Sequence, residues 1–150
     1  MPNSTRLAAL LLLGCSAAAE PSPPAGYPSA MATNSCGPTD GPAVQLYLTP
    51  TPSDSAEPDA GTPFVRVVVW RPVEDLVGAI VDLGPASDQG FVSACSSSGE
   101  CEAASSAQVQ LGMNRGRNSL AGLVDLEFPA AGRVRGSFRA PWRPRRTLCG

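Results

Sequence analysis

The chain contains no histidine and no lysine among its 150 residues. Without histidine it cannot form the Ser-His or Cys-His pairs that activate many hydrolytic nucleophiles, nor a histidine-ligated metal site. Without lysine it cannot form a Schiff base or a Ser-Lys dyad. These absences exclude most hydrolase mechanisms, and they predict a protein that is not an enzyme and has no cofactor and no bound metal.

The sequence also lacks an apolar run long enough to cross a bilayer as a helix, which needs about 20 residues. Its one N-terminal apolar segment, residues 7–13, follows Arg6 and leads into Gly14 and Cys15. A basic residue before a short apolar core is typical of an export signal rather than a retained membrane helix. We therefore expect the chain to be exported.

The tetrapeptide Leu12-Leu13-Gly14-Cys15 resembles the lipobox of bacterial lipoproteins. The resemblance implies that residues 1–14 are a signal peptide and that Cys15 carries a diacylglyceryl thioether at the mature N-terminus. The two or three acyl chains of such a protein hold it stably on a membrane, since each buried CH₂ contributes about 0.8 kcal/mol. Ser16, which follows the cysteine, implies sorting to the outer membrane of the cell envelope.

A second cleavage site leaves the membrane assignment open. Ala17-Ala18-Ala19 offers an A-x-A site, and cleavage after Ala19 would remove Cys15 and release a soluble secreted or periplasmic protein. The segment up to Asn34 is rich in alanine, proline and serine, so we expect residues 15–34 to form a disordered, lipidated tether rather than a folded N-terminal element. Residues 35–150 then form a single domain.

Assigning Cys15 to lipid leaves an even set of cysteines, Cys36, Cys95, Cys101 and Cys149, as expected for disulfides in an exported chain. Three pairings are possible. We favour Cys95 with Cys101, which closes a short loop, and Cys36 with Cys149, which joins the ends of the domain. Metal ligation by the thiolates is disfavoured because Cys95 and Cys101 are spaced too widely for a zinc knuckle.

The 16 prolines and 15 glycines separate short segments in which apolar residues alternate with other residues, a pattern typical of strands. We predict an all-β domain, either a small antiparallel β-sandwich or an up-and-down barrel of six to seven strands. A short helix beginning near Glu74 and Asp75 is the alternative for the third strand. The predicted strands cover residues 44–48, 64–70, 76–83, 90–96, 106–113, 120–128 and 133–142.

The last two predicted strands form the clearest hairpin. Pairing Phe128 with Val134 aligns their apolar faces and leaves Ala130-Ala131-Gly132 as a loop whose glycine supplies a positive φ. The same register places Glu127 opposite Arg135, which is a favourable cross-strand charge pair. We therefore predict this register.

Two carboxylates of this hairpin suggest one enzymatic alternative. Asp125 and Glu127 lie two residues apart on one strand face, at a spacing close to that of a glycosidase pair. Arginines on the facing strand would lower the pKa of both carboxyls, whereas a catalytic acid needs a raised pKa. A carboxylate-dependent glycosidase is therefore the weaker hypothesis, and structural ion pairs are favoured.

Charge is distributed unevenly: all but two acidic residues precede position 103, whereas all but three of the 11 arginines follow it. The two regions can simply attract each other within one domain. Two basic segments are nevertheless candidate binding sites, because arginine and tryptophan are frequent in binding hot spots. The net charge of −2 argues against nucleic acid, so we expect an anionic envelope glycan or an acidic protein as partner. The candidate residues are Arg115, Arg117, Trp142, Arg145 and Arg146.

These features together predict a lipid-anchored cell-envelope domain that acts as a non-enzymatic binding or structural module. The alternative is an inhibitor or escort of a periplasmic or secreted enzyme, which would present a rigid loop such as residues 94–102.

Overall fold

The computed structural model describes residues 21–114 and 118–149. This part of the chain forms nine β-strands and one 3-10 helix, Val73–Leu76, so the predicted all-β fold is confirmed. The strands in chain order are β1 (Ser29–Cys36), β2 (Pro42–Thr49), β3 (Phe64–Val69), β4 (Ala79–Asp82), β5 (Gly90–Cys95), β6 (Cys101–Ala103), β7 (Ser106–Asn114), β8 (Ser119–Phe128) and β9 (Gly132–Pro141).

The strands form two antiparallel sheets that pack face to face. The five-stranded sheet has the order β1-β2-β3-β5-β6, and the four-stranded sheet has the order β4-β7-β8-β9. Along one side the sheets meet, because Trp142 bridges Ala32 of β1 and the Arg143 amide donates to the Ala32 carbonyl at 2.8 Å. Of the two predicted arrangements, the β-sandwich is the one observed.

The core lies between the sheets and is built by strict alternation. In β3, for example, Val65, Val67 and Val69 point inward and are fully buried, and Leu46 and Leu48 of β2 do the same beside them. Burying one such side chain contributes about 1.5–3 kcal/mol. Residues of the opposite parity therefore form the outer faces of the two sheets.

Two strands were absent from the sequence-based prediction of six to seven. The first, β1, overlaps the predicted tether, and it pairs with β2 over its whole length, from Ser29 with Thr49 to Cys36 with Pro42. The prediction that residues 29–34 are disordered is therefore wrong. Their small side chains carry little strand signal, and pairing with the apolar strand β2 supplies the order that their own composition does not. The other missed strand, β6, is only three residues long.

The third predicted strand, residues 76–83, is also wrong in its first half. Residues Val73–Leu76 form the 3-10 helix, close to the helix considered as the alternative, and the strand itself is Ala79–Asp82. Between them Gly78 adopts a positive φ of 75°, which turns the chain into β4. Leu76 is fully buried because it belongs to the core from the helix rather than from a strand.

The last hairpin forms with a register two residues away from the predicted one. Phe128 pairs with Gly132, not with Val134, and Asp125 lies opposite Arg135. The loop is residues 129–131, and Gly132 has the expected positive φ of 76°. Because side chains alternate with a period of two, this shift leaves the inward and outward faces unchanged.

The two predicted disulfides are confirmed. Cys36–Cys149 joins the end of β1 to the C-terminal segment, and Cys95–Cys101 joins β5 to β6. Within the described residues no helix is long and apolar enough to span a bilayer.

Candidate functional site

The outer face of the four-stranded sheet is open to solvent. Two large apolar side chains lie on it, Ile80 with 62% and Leu123 with 41% of its surface exposed. Gln110 of β7 is exposed between Ile80 and Leu123, and Gln108 is exposed on the same side of that strand. Gln110 lies between the two apolar residues in register, so the face is polar with two separate apolar contacts.

Cross-strand register builds a groove across the middle of β7, β8 and β9, and the first residues of β1 also line it. Gly112 of β7 lies opposite Ala121 of β8, and Ala121 lies opposite Arg139 of β9, so two small residues stand beside a long basic one. The groove has a volume of about 770 Å³, and Gln110 and Leu123 also line it. The small residues form its floor and leave room for a ligand to approach the sheet.

The segment that precedes β1 forms one wall of the groove. The Ser137 amide donates to the Ser22 carbonyl at 2.9 Å, and the Ser137 hydroxyl donates to the Pro21 carbonyl. A side chain at Gly136 would come within 2.5 Å of the Pro24 nitrogen, so only glycine lets the segment lie this close to β9. The wall is thus fixed by β9 itself.

The three outward arginines of β9 differ in what they contact. Arg133 donates two hydrogen bonds of 2.8 Å to the Asp125 carboxylate, and Arg135 lies 3.6 Å from the same carboxylate. Arg139 forms no ion pair with any described residue, and it is exposed. Arg139 therefore lines the groove without an ion-pair partner among the described residues, whereas Arg133 and Arg135 lie outside the groove and are engaged by Asp125.

The glycosidase hypothesis depends on Asp125 and Glu127, and the surroundings of Asp125 oppose it. The hydrogen bond from Arg133 lowers the pKa of the Asp125 carboxyl below its ordinary value. A carboxylate held ionised in this way does not suit the acid of a glycosidase pair, which must keep its proton near neutral pH. Asp125 instead serves as the partner of two cross-strand arginines.

The predicted binding residues after β9 have structural contacts. Trp142 is half-buried against the core, and its amide donates to the Asn118 carbonyl at 2.9 Å. Arg145 donates to the Glu57 carboxylate at 2.7 Å. Arg146 is exposed and forms no ion pair with a described residue. The structure brings Trp142 and Arg145 into intramolecular contacts rather than into a shared site.

The other two predicted binding residues, Arg115 and Arg117, lie outside the described residues. They belong to the connection between β7 and β8, whose flanking residues Asn114 and Ser119 pair with each other. Ser119 also pairs with Pro141, so Arg139 is two residues from that end of β9.

Sequence reasoning missed several residues that the fold brings together. Gln110, Ser137 and Arg139 share the groove, although no local motif joins them. Glu102 has a different role: its carboxylate accepts hydrogen bonds from the amides of Ala130 and Ala131, at 2.9 and 2.7 Å. It thereby ties the edge of the five-stranded sheet to the last hairpin of the four-stranded sheet.

Among the described residues no group of three or more histidine, cysteine, aspartate or glutamate side chains is arranged to hold a metal ion. Comparison with family models, with curated proteins and with solved structures finds no match to this chain.

Proposed function

We propose that this chain is an exported, lipid-anchored binding domain of the cell envelope, and that the groove on the four-stranded sheet binds an anionic glycan. The observation that carries the proposal is the exposed Arg139, which forms no ion pair with a described residue and lies beside the small residues Gly112 and Ala121. The domain acts by binding rather than by catalysis.

The shape and the polar groups of the groove suit an extended polar polymer. Small residues form its floor, so a chain can lie close to the strands. The amide of Gln110 is both a donor and an acceptor, and the hydroxyl-rich backbone of a glycan offers both kinds of partner. The exposed Leu123 provides an apolar contact for a sugar ring.

The charge favours an anionic ligand. A guanidinium forms bidentate hydrogen bonds with carboxylate, sulfate and phosphate groups. Arg115 and Arg117 lie outside the described residues and stay candidates for binding on the sequence alone. Arg133 and Arg135 contribute less because Asp125 already engages them.

Export is supported by the two disulfides, because such bonds persist in oxidising compartments outside the cytosol. Lipid attachment at Cys15 rests on the lipobox resemblance alone. Intact mass and N-terminal analysis of the native protein test it: an acylated Cys15 at the N-terminus supports the anchor, and an N-terminus at Glu20 contradicts it.

Titration calorimetry with a polyuronate tests the groove. We expect polygalacturonate to bind the purified domain, with affinity that falls as salt rises, and neutral dextran not to bind. Substituting Arg139→Ala should weaken binding about tenfold, the effect of losing one charge-assisted contact, whereas Arg139→Lys should weaken it less.

The matched control is Arg146→Ala, which removes an exposed arginine outside the groove. It should leave polyuronate binding unchanged. Loss of binding in Arg146→Ala with retention in Arg139→Ala would move the site to the C-terminal segment. Failure of every polyanionic glycan to bind would refute the glycan proposal.

One observation favours the inhibitor or escort hypothesis as a second candidate. The loop closed by Cys95–Cys101 is held internally, because the Ser96 amide donates to the Glu100 carbonyl at 2.8 Å and the Gly99 amide donates to the Ser96 carbonyl at 3.0 Å. Rigid exposed loops of this kind suit insertion into an enzyme cleft. Capture of one stoichiometric envelope enzyme by the domain, abolished when residues 97–99 are replaced, would support it.

A further inference from the structure

A second pocket lies at the opposite sheet of the sandwich and shares no residue with the groove. It occupies about 320 Å³ beside Trp70, the residue that follows β3. The β1–β2 turn and Asp88, which precedes β5, form its other walls. The lining residues from the turn are Gly37, Pro38, Thr39, Gly41 and Pro42.

The turn is held firmly against the indole. The Gly37 amide donates to the Gly41 carbonyl at 2.8 Å, and the Asp40 amide donates to the Gly37 carbonyl at 3.1 Å. A Cβ at Gly37 would lie 3.4 Å from the Trp70 side chain, so the glycine backbone is in close contact with the ring. The disulfide of Cys36 fixes the strand end directly before this turn.

The opposite wall is equally fixed. The Trp70 amide donates to the Gln89 carbonyl at 2.8 Å, and the Ser87 hydroxyl accepts from the Gln89 amide at 3.1 Å. Gly90 allows the start of β5 to lie this close to β3, because a Cβ there would lie 1.9 Å from the Val68 carbonyl oxygen. Asp88 is therefore presented by a short hydrogen-bonded turn rather than by a loose loop.

The charges at the pocket are acidic. Asp88 lines it and Asp40 belongs to its turn, and neither forms an ion pair with a described residue. The adjacent Arg71 donates to the Asp75 carbonyl of the 3-10 helix at 3.2 Å. An aromatic wall facing an uncompensated carboxylate attracts a cation through both the ring quadrupole and the opposite charge.

A neighbouring contact on this face is itself a cation–π interaction. The Arg66 guanidinium lies 5.0 Å from the centre of the Phe91 ring, and Phe91 in turn packs against Trp70 with ring centres 6.4 Å apart. Arg66 therefore provides Phe91 with an intramolecular cation–π contact. Trp70 is only half-buried, and no described cation covers it.

We infer that the Trp70 pocket binds an alkylammonium group, which contacts the indole with its methyl or methylene groups and takes Asp88 as its counter-ion. The group comes either from a small quaternary or primary amine or from a lysine side chain of a partner protein. This site is independent of the proposed glycan groove, so the Arg139→Ala variant retains it.

Intrinsic fluorescence gives a direct test, because the chain has only two tryptophans, Trp70 and Trp142. The Trp142→Phe variant leaves Trp70 as the single reporter, and NMR shift mapping on the unmodified domain provides a second readout. Choline, N-acetyl-lysine amide and neutral methyl glucoside are titrated in parallel. We expect saturable changes at Trp70 with both cations, weakened by salt, and none with the glucoside.

Substitutions then separate the two contributions. Asp88→Asn should weaken choline binding about fivefold, as expected for removing one exposed opposite charge. Trp70→Leu should abolish the NMR response, whereas the control Asp59→Asn, an exposed aspartate in the β2–β3 loop, should change nothing. Tighter binding of choline identifies a free amine as the source, and tighter binding of the lysine derivative identifies a protein side chain.

Two results would overturn the inference. One is the absence of a saturable response to either cation in the unmodified domain. The other is binding of methyl glucoside that Asp88→Asn leaves unchanged, which would make the pocket a neutral sugar site.

Discussion

The two outer faces of the sandwich are built from the same kind of strand but differ in how far other segments cover them. On the five-stranded sheet the outward residues near β1 are buried: Met31, Thr33 and Tyr47 each keep at most 4% of their surface exposed. On the four-stranded sheet most outward residues remain at least partly accessible. The five-stranded sheet is therefore covered over β1 and β2 (the covered face), whereas the four-stranded sheet is largely open (the bare face).

Two irregular segments supply the covering, the β2–β3 loop and the C-terminal segment after β9, and they contact each other. The Arg143 guanidinium donates to the Ser55 carbonyl at 2.9 Å, and Arg145 forms an ion pair with Glu57 at 2.7 Å. The C-terminal segment is attached to β1 by its own contacts, since the Thr33 hydroxyl donates to the Arg143 carbonyl at 2.8 Å. The uneven distribution of acidic and basic residues thus serves, at least here, an internal contact.

The two faces are therefore expected to contribute differently to stability and to the proposed glycan binding. Covering one sheet buries additional apolar surface beyond the core, which suits a small domain with a limited interior. The other sheet is left open, so its groove is accessible, but Ile80 and Leu123 are also exposed to solvent. Substitutions on the covered face should therefore affect unfolding, and those on the bare face should affect ligand binding.

The largest expected effect comes from removing the disulfide that holds the covering. Replacing Cys36 and Cys149 by serine should lower the free energy of unfolding by about 5 kcal/mol, because the bond closes a loop with a sequence separation of 113. The matched double variant of Cys95 and Cys101, with a separation of 6, should lose about 2 kcal/mol. Urea unfolding measures both, and equal losses would contradict the chain-entropy argument.

The next effect compares one side chain on each face. Tyr47→Ala should cost about 3 kcal/mol, since the ring is buried and packs edge-on against Phe64 at 5.5 Å. Leu123→Ala should cost less than about 0.5 kcal/mol because that side chain is largely exposed. Urea unfolding of the two variants gives the comparison. If Leu123→Ala lowers the free energy of unfolding as much as Tyr47→Ala does, the Leu123 side chain is buried in solution and the face is not open.

Much of this contrast follows from the sequence, and part of it does not. Alternation in residues 64–69 and 120–128 identified inward and outward sides correctly, and the two disulfides followed from an even cysteine set. The covering was not predictable, because the β2–β3 loop and the C-terminal segment have no periodicity that reports what they pack against. The order of β1 likewise depends on its partner strand.

The groove could not be predicted because its residues meet only through cross-strand register. With the expected pairing of Phe128 and Val134, Arg139 would lie opposite Leu123. In the observed register it lies opposite Ala121, and the small residue creates the space beside it. A shift of two residues preserves the face of each side chain but changes its neighbours, and binding depends on the neighbours.

A smaller effect is expected at the contact that joins the two sheets. Glu102→Ala should cost about 1–2 kcal/mol, since it removes the acceptor for the amides of Ala130 and Ala131. Glu100→Ala is the control, because within residues 21–114 and 118–149 its carboxylate accepts a hydrogen bond from the Ser98 hydroxyl alone, at 3.5 Å. If both variants unfold at the same urea concentration, the link through Glu102 contributes nothing to stability.

The smallest effect concerns the charges of the bare face. Arg133 lowers the pKa of Asp125 below its ordinary value of 3.8, so folding is favoured while the carboxyl is ionised. This contribution is present above the ordinary pKa and is lost as the pH falls through the lowered one. The urea midpoint of the native domain should therefore decline from about pH 4 downward more steeply than that of Asp125→Asn. Because the pair is exposed, salt should reduce the difference. Parallel pH profiles for the two proteins would mean that the ion pairs on this face do not contribute to the free energy of unfolding.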